Sequence, residues 1–196
     1  TGTPVGGIVD LWNADLSQAT VNNNAGILFI SNSDAGVAIG SLGGAGAVAL
    51  GGRQLTVGAL NQSSTISGVI SDSGNSYIDG NGTPYITPAS GSTGSLVKEG
   101  SGTLTLSGKN DYGGTTTVNG GILRIEGDQS AALGTVTVNS GATLASSATG
   151  KVGGAVIVQS GGTLTGNGTI LGAVSIAGGG RLAPGNSPGT LTVGSL

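Results

Sequence analysis

The sequence predicts an all-β chain wound into a right-handed, single-stranded parallel β-helix, a solenoid, and three observations carry that prediction. Glycine fills 42 of 196 positions while 8% of residues are charged and 3% aromatic, against about 7% glycine and about 25% charge in ordinary soluble domains. The apolar residues are mostly small or β-branched and come in short runs ended by glycine or a polar residue, as in Gly26-Ile27-Leu28-Phe29-Ile30 and Ala155-Val156-Ile157-Val158. Runs of that kind are strand signals. Finally, a unit of about twenty residues recurs, as solenoids require.

The recurrence is clearest in the second half. Val118-Asn119-Gly120-Gly121, Val138-Asn139-Ser140-Gly141 and Val158-Gln159-Ser160-Gly161 follow at intervals of 20 residues, and Ile176-Ala177-Gly178-Gly179 comes 18 residues later. Each copy leads into a leucine: Leu123, Leu144, Leu164 and Leu182. A second motif, Leu-Thr followed by an apolar residue or glycine, recurs at Leu55-Thr56-Val57, Thr103-Leu104-Thr105-Leu106, Thr163-Leu164-Thr165 and Thr190-Leu191-Thr192. Alternation with period two turns Leu104 and Leu106 inward and Thr103 and Thr105 to water.

Glycine suits the corners of a coil, where positive φ is unstrained, and Gly121, Gly141 and Gly161 recur as repeat positions. Successive coils pair about 4.8 Å apart, so roughly eight to ten of them make a rod about 40 Å long. Asn119, Asn139 and Gln159 fall at equivalent positions; they stack as an amide ladder or stand as three solvated turn residues. An antiparallel sandwich shares this composition, but it calls for two-residue hairpin turns and no repeat. The copies at 20-residue spacing favour the helix.

Three regions follow: N-terminal coils over 1–71, a loop or hairpin excursion over 72–94, and C-terminal coils over 95–196. The excursion breaks the rhythm and holds Tyr77, Asp79 and Tyr85, with a hairpin turn suggested at Asp79-Gly80-Asn81-Gly82. Loops on rigid scaffolds carry binding, which makes these three residues the candidate partner contact. The competing reading is a solvated loop whose tyrosines lie against the rod. Trp12 and Phe29, each the sole residue of its kind, are expected to cap or fill the first coils, with ligand stacking the alternative for Trp12.

Chemistry is restricted by what is missing. Without histidine or cysteine the chain can build no Ser-His-Asp arrangement, thiol nucleophile or His/Cys metal site, and no cofactor or metal is expected. The calcium-binding nonapeptide lacks its aspartate at Gly43-Gly44-Ala45-Gly46-Ala47-Val48. A net charge of -3 with six scattered Lys and Arg offers nucleic acid no basic footprint. No apolar stretch is long enough to cross a bilayer as a helix, and Thr1-Gly2-Thr3-Pro4 has no basic leader. Polysaccharide cleavage, which uses clustered carboxylates, finds its nearest candidates in Glu126 and Asp128 beside Arg124, aligned on one strand face. A solvated edge explains them with far less effort.

Residues 95–127 closely resemble the passenger-associated transport repeat of autotransporters, the type V secretion family, whose pattern runs L-x-K-x-G-x-G-T-L-T-L-S-G and then N-x-Y-x-G-x-T-x-V-N-x-G-x-L. Leu96, Lys98, Gly100, Gly102 to Gly108, Asn110, Tyr112, Thr115 and Val118 to Gly121 carry the match, with Asp111 in place of the usual threonine. Leu182-Ala183-Pro184-Gly185-Asn186-Ser187-Pro188-Gly189 looks like the segment that closes such rods, and the likeness spans roughly residues 37–196.

The missing residue types and scattered acids point to a structural module and not an enzyme, and the resemblance implies a place at the bacterial surface or secretion. It also implies covalent continuity with a C-terminal outer-membrane β-barrel, and folding outside the cell from the C-terminal end. An adhesin-like stalk that meets a host-cell or matrix ligand, or self-associates, is the leading function. A purely secretory folding scaffold for an upstream effector domain is the second, and a polysaccharide-cleaving β-helix enzyme the third.

Overall fold

The computed structural model describes residues 7–30, 33, 35–78, 84–88, 93–185 and 189–196. Every regular element among them is a strand. Apart from one hairpin, these strands pair in parallel, and they stack as a β-solenoid of about eight turns. Each full coil contributes up to three short strands, one to each of three faces, so strands pair only with the coils before and after.

The first face runs through Val37–Gly43, Gln54–Val57, Ser95–Lys98, Thr116–Val118, Val136–Val138, Val156–Val158 and the end of Thr169–Ile176. The second runs through Ser64–Ile66, Thr103–Leu106, Ile122–Ile125, Thr143–Ser146, Thr163–Gly166 and Arg181–Pro184. The third comes in two pieces. Ile8–Asp10, Ile27–Phe29, Ala47–Ala49 and Ile70–Ser71 form one, and the other joins Asp128–Gln129, Lys151–Val152, the start of Thr169–Ile176 and Thr192–Ser195.

The sequence repeat is the register of these ladders. Val118 pairs with Val138, Val138 with Val158, and Val158 with Ile176. Leu104, Leu123, Leu144, Leu164 and Leu182 form a second column. The pairing of Leu123 with Leu144 absorbs the one-residue offset in the corner between the first and second faces. The shortening to 18 residues falls between the second and third faces. Ser146 pairs with Gly166 and Lys151 with Thr169, so the later coil makes that corner with two residues fewer.

Leu104, Leu106, Leu144, Leu164, Val118, Val138 and Val158 are all buried, while Thr103 and Thr105 are only partly covered. Such columns of aliphatic side chains form the core, and burial of each removes about 1.5–3 kcal/mol worth of apolar surface from water.

Two kinds of glycine set the corners. Gly121, Gly141 and Gly161 lie where the chain leaves the first face, with φ of 59°, 77° and 78°, a left-handed conformation costly for residues with a Cβ. Gly134 and Gly154, at the turn from the third face back to the first, are squeezed instead. A Cβ on either would run into the carbonyl of the glycine below it, Gly114 or Gly134.

The excursion emerges at this same corner. Ser73–Ile78 pairs antiparallel with Pro84–Pro88, placing Tyr85 opposite Tyr77; the turn expected at Asp79-Gly80-Asn81-Gly82 lies outside the described residues. Phe29 is fully buried, but Trp12 is 68% exposed. Trp12 therefore neither caps nor fills the first coils, where Phe29, Ile30, Leu42 and Leu50 already occupy the interior.

Candidate functional site

The coil that carries the recognisable motif is also where buried polar side chains concentrate. Leu96, Val97 and Lys98 alternate along one strand, and register sets Lys98 between Val57 and Val118 in an inward-facing column. A lysine thus stands where neighbouring coils place valine, with only 1% of its surface exposed. Its ammonium curls into the corner and donates to the carbonyls of Glu99 at 2.5 Å, Gly100 at 2.9 Å and Gly120 at 3.2 Å. All three of its N–H groups are used, and they tie two successive corners together. Burial pushes the amine's pKa down, and the Glu99 charge partly opposes that.

On the third face the same coil contributes no strand, and side chains bridge the gap. Asn110, fully buried, accepts the N–H of Ile70 on Oδ1 at 2.7 Å, and the N–H of Asp111 donates to the Ile70 carbonyl at 3.1 Å. From the next coil, Gln129 Nε2 donates to the Gly108 carbonyl at 2.9 Å. These contacts splice the two pieces of the third face. The splice leaves Asn110 Nδ2 and Gln129 Oε1 without partners, each a cost of about 1–3 kcal/mol if dry.

Beside them Tyr112 is buried, its hydroxyl sharing a hydrogen bond of 2.7 Å with Thr116. Burial pushes the phenol up to about 12, with the Thr116 bond acting against the shift and the Asp72 charge adding to it. The enclosed cavity next to Tyr112 and Gln129, about 20 Å³, has the size of about one water and excludes organic ligands.

Asp72 closes the base of the hairpin. Oδ1 accepts the N–H of Gly94 and Oδ2 that of Gly113, both at 2.7 Å. The two ends of the excursion are therefore held to each other and to the next coil by one carboxylate. Sequence reasoning gave Asp72 and Lys98 no role. Strand alternation does place Lys98 inward, but nothing in the local sequence marks Asp72.

Outside the rod, Asn139 Nδ2 donates to Asn119 Oδ1 at 2.6 Å and Asn119 Nδ2 to Glu99 Oε1 at 2.7 Å. The amide ladder thus ends on a carboxylate and spans Asn119 and Asn139. Gln159 stands exposed on the following coil.

The carboxylates considered for catalysis do not share a strand face. Glu126 follows the second-face strand Ile122–Ile125 and lies 3.9 Å from Arg124. Asp128 starts the third face, where it accepts the Ser130 N–H at 2.9 Å and pairs with Lys151 at 3.1 Å. Those bonds, Ser130 first, hold the Asp128 carboxyl well below the usual range. The corner between the faces separates the two acids. Among the described residues no group of His, Cys, Asp and Glu could hold a metal ion.

The family model described as passenger-associated-transport-repeat matches residues 96–125, consistent with an autotransporter passenger domain. No curated protein and no solved structure matches the chain.

Proposed function

We propose that this chain is a stalk segment of an autotransporter passenger, displayed on or released from the bacterial surface, whose coils fold outside the cell and present a surface for adhesion. The observation that carries this reading is the coincidence of the matched repeat, residues 96–125, with the coil where Lys98, Asn110 and Tyr112 complete the stacking. A solenoid whose coils contact only neighbours can grow from a folded end. In this reading growth starts in the C-terminal coils, near Leu182 to Val193, and runs toward the N-terminal ones. In the parent protein the rod continues into an outer-membrane β-barrel.

Whole-cell display of the parent protein, read by antibody and protease accessibility, tests the proposal. Leu104→Asp or Leu164→Asp places a charge in the column of stacked leucines and should reduce display. Thr105→Asp, facing outward, should not. Unchanged display with both leucine variants would sink the proposal.

A purely secretory scaffold for an upstream effector is the second reading, favoured by one observation. Lys98, Asn110 and Tyr112 are all spent inside the rod, so these three side chains of the repeat offer a partner nothing. A globular effector encoded upstream, together with a stalk that binds no surface ligand, would select it.

A further inference from the structure

Charge is distributed unevenly over the rod. Register lines up Thr105, Arg124, Ala145, Thr165 and Ala183 as one outward column of the second face, and Thr103, Ile122, Thr143, Thr163 and Arg181 as the other. Across these two columns the only charged residues are Arg124 and Arg181. In a chain of net charge -3, this wall carries only positive charge and is otherwise lined with threonine, alanine and one isoleucine.

Where the second face turns toward the third, the wall becomes concave. A groove of about 370 Å³ is lined by Arg124, Ala145, Ser147, Thr165, Asn167 and Ala183, among others. Ala145 and Ala183 leave its floor low between larger neighbours. The Thr165 hydroxyl is turned down onto the Ala183 carbonyl at 2.7 Å, so the groove mixes the Ala145 and Ala183 methyls with the polar groups of Arg124, Ser147 and Asn167. The Arg124 guanidinium is about half exposed, and its ion pair with Glu126 is a single long contact of 3.9 Å. Most of its five N–H donors therefore remain free to meet a planar or tetrahedral oxyanion.

We infer that this groove binds a residue of an acidic glycan. The less polar face of a pyranose ring rests on Ala145 and Ala183, a carboxylate or sulfate on the sugar faces Arg124, and ring hydroxyls meet Ser147 and Asn167. The volume falls within the range of small-ligand sites, about 300–1,000 Å³. The groove's openness to solvent means weak single-site affinity, multiplied when many copies stand on one surface. This inference deepens the adhesion reading and rests on it only in supposing that the face is displayed.

The test is titration of the purified chain with oligogalacturonate, a heparin-derived tetrasaccharide, neutral maltotetraose and inorganic sulfate, followed calorimetrically. One of the acidic oligosaccharides should bind saturably while maltotetraose does not. Arg124→Gln should weaken that binding at least about tenfold, and Ala145→Leu, which raises the floor, should abolish it. Arg181→Gln removes the same charge from the same face outside the groove and should change it little.

Absence of saturable binding overturns the inference. Equal losses from Arg124→Gln and Arg181→Gln would also do so, as diffuse charge attraction, and competition by inorganic sulfate as effective as the sugar would reduce the site to an anion contact. Because the binding measurement needs no display, a chain that is displayed but does not bind refutes the groove alone. One that binds but is not displayed refutes the stalk alone.

Discussion

Asp72 and Gly94 face each other across the base of the hairpin, the carboxylate accepting the glycine N–H at 2.7 Å. With its other oxygen Asp72 takes the N–H of Gly113 on the next coil. Charge-assisted bonds of this length to backbone donors contribute more than neutral ones. Asp72→Ala should therefore lower stability by about 2–3 kcal/mol, read as a shifted urea midpoint, and Asp72→Asn, which keeps one acceptor, by about half of that. Amide exchange at Gly94 and Gly113 localises the effect; unchanged protection at both in Asp72→Ala would show that the clamp is not formed.

Tyr112 predicts an alkaline limit. Its hydroxyl titrates at 10.0 in an unfolded chain and about 12 in the fold, so between those values the folded state holds the extra proton. Stability from this group is complete below pH 10 and is lost as pH rises toward 12, about 2–3 kcal/mol in all. Tyr112→Phe should cost about 1 kcal/mol at neutral pH, for the Thr116 hydrogen bond, and flatten the decline between pH 10 and 12. Parallel curves for the two proteins in that interval would refute the assignment.

Lys98 works in the opposite sense. Burial lowers its pKa from 10.5, so an unfolded chain keeps a proton that the folded one releases earlier. In the window from the lowered value up to 10.5, stability from this group rises with pH. Lys98→Met retains the buried stem but leaves the carbonyls of Glu99, Gly100 and Gly120 without their donor, and should cost about 1–3 kcal/mol at neutral pH. The gap between wild type and Lys98→Met, followed by denaturant titration, should change as pH approaches 10.5, and a gap independent of pH would contradict the buried ammonium.

Two glycine substitutions separate conformational strain from collision. Gly141 has open space around a Cβ but a φ of 77°, so Gly141→Ala should cost about 1–2 kcal/mol. A Cβ on Gly134 would run into the Gly114 carbonyl, and Gly134→Ala must push two coils apart. Its melting temperature should fall further than that of Gly141→Ala, and the reverse order would contradict the close approach of the backbones.

The exposed ladder should contribute modestly and in proportion to bonds lost. Asn119 both donates to Glu99 and accepts from Asn139, whereas Asn139 has a single ladder bond to lose. Asn119→Ala should cost about twice as much as Asn139→Ala, each within about 0.5–1.5 kcal/mol. A double-mutant cycle between the two positions measures their coupling, and a coupling of zero would reduce the ladder to solvated turn residues.

The sequence disclosed the features that repeat. Val118, Val138 and Val158 recur because each rests on the previous one, so the interval between copies is the length of a coil. Leu104 and Leu106 were readable as inward because strand alternation is local. Features that occur once were not readable in the same way. Asp72 acts on partners 22 and 41 residues away, and nothing around it repeats to announce them. Trp12, expected to cap or fill the first coils, is exposed beside columns that other side chains already fill. Glu126 and Asp128 are two residues apart, yet a corner between them sends each to a different face.

The splice on the third face also bears on how such a rod responds to force. A pull along the long axis is shared among three ladders of hydrogen bonds, and at the coil that carries Lys98 and Asn110 one ladder is held by the main-chain bond from Asp111 to Ile70 and by the amides of Asn110 and Gln129. Side-chain bonds can yield there while the main-chain pairing of the first two faces holds. Of the third-face pairings, the seam should therefore yield first. It directly follows the excursion, so extra chain enters beside a break in one backbone ladder.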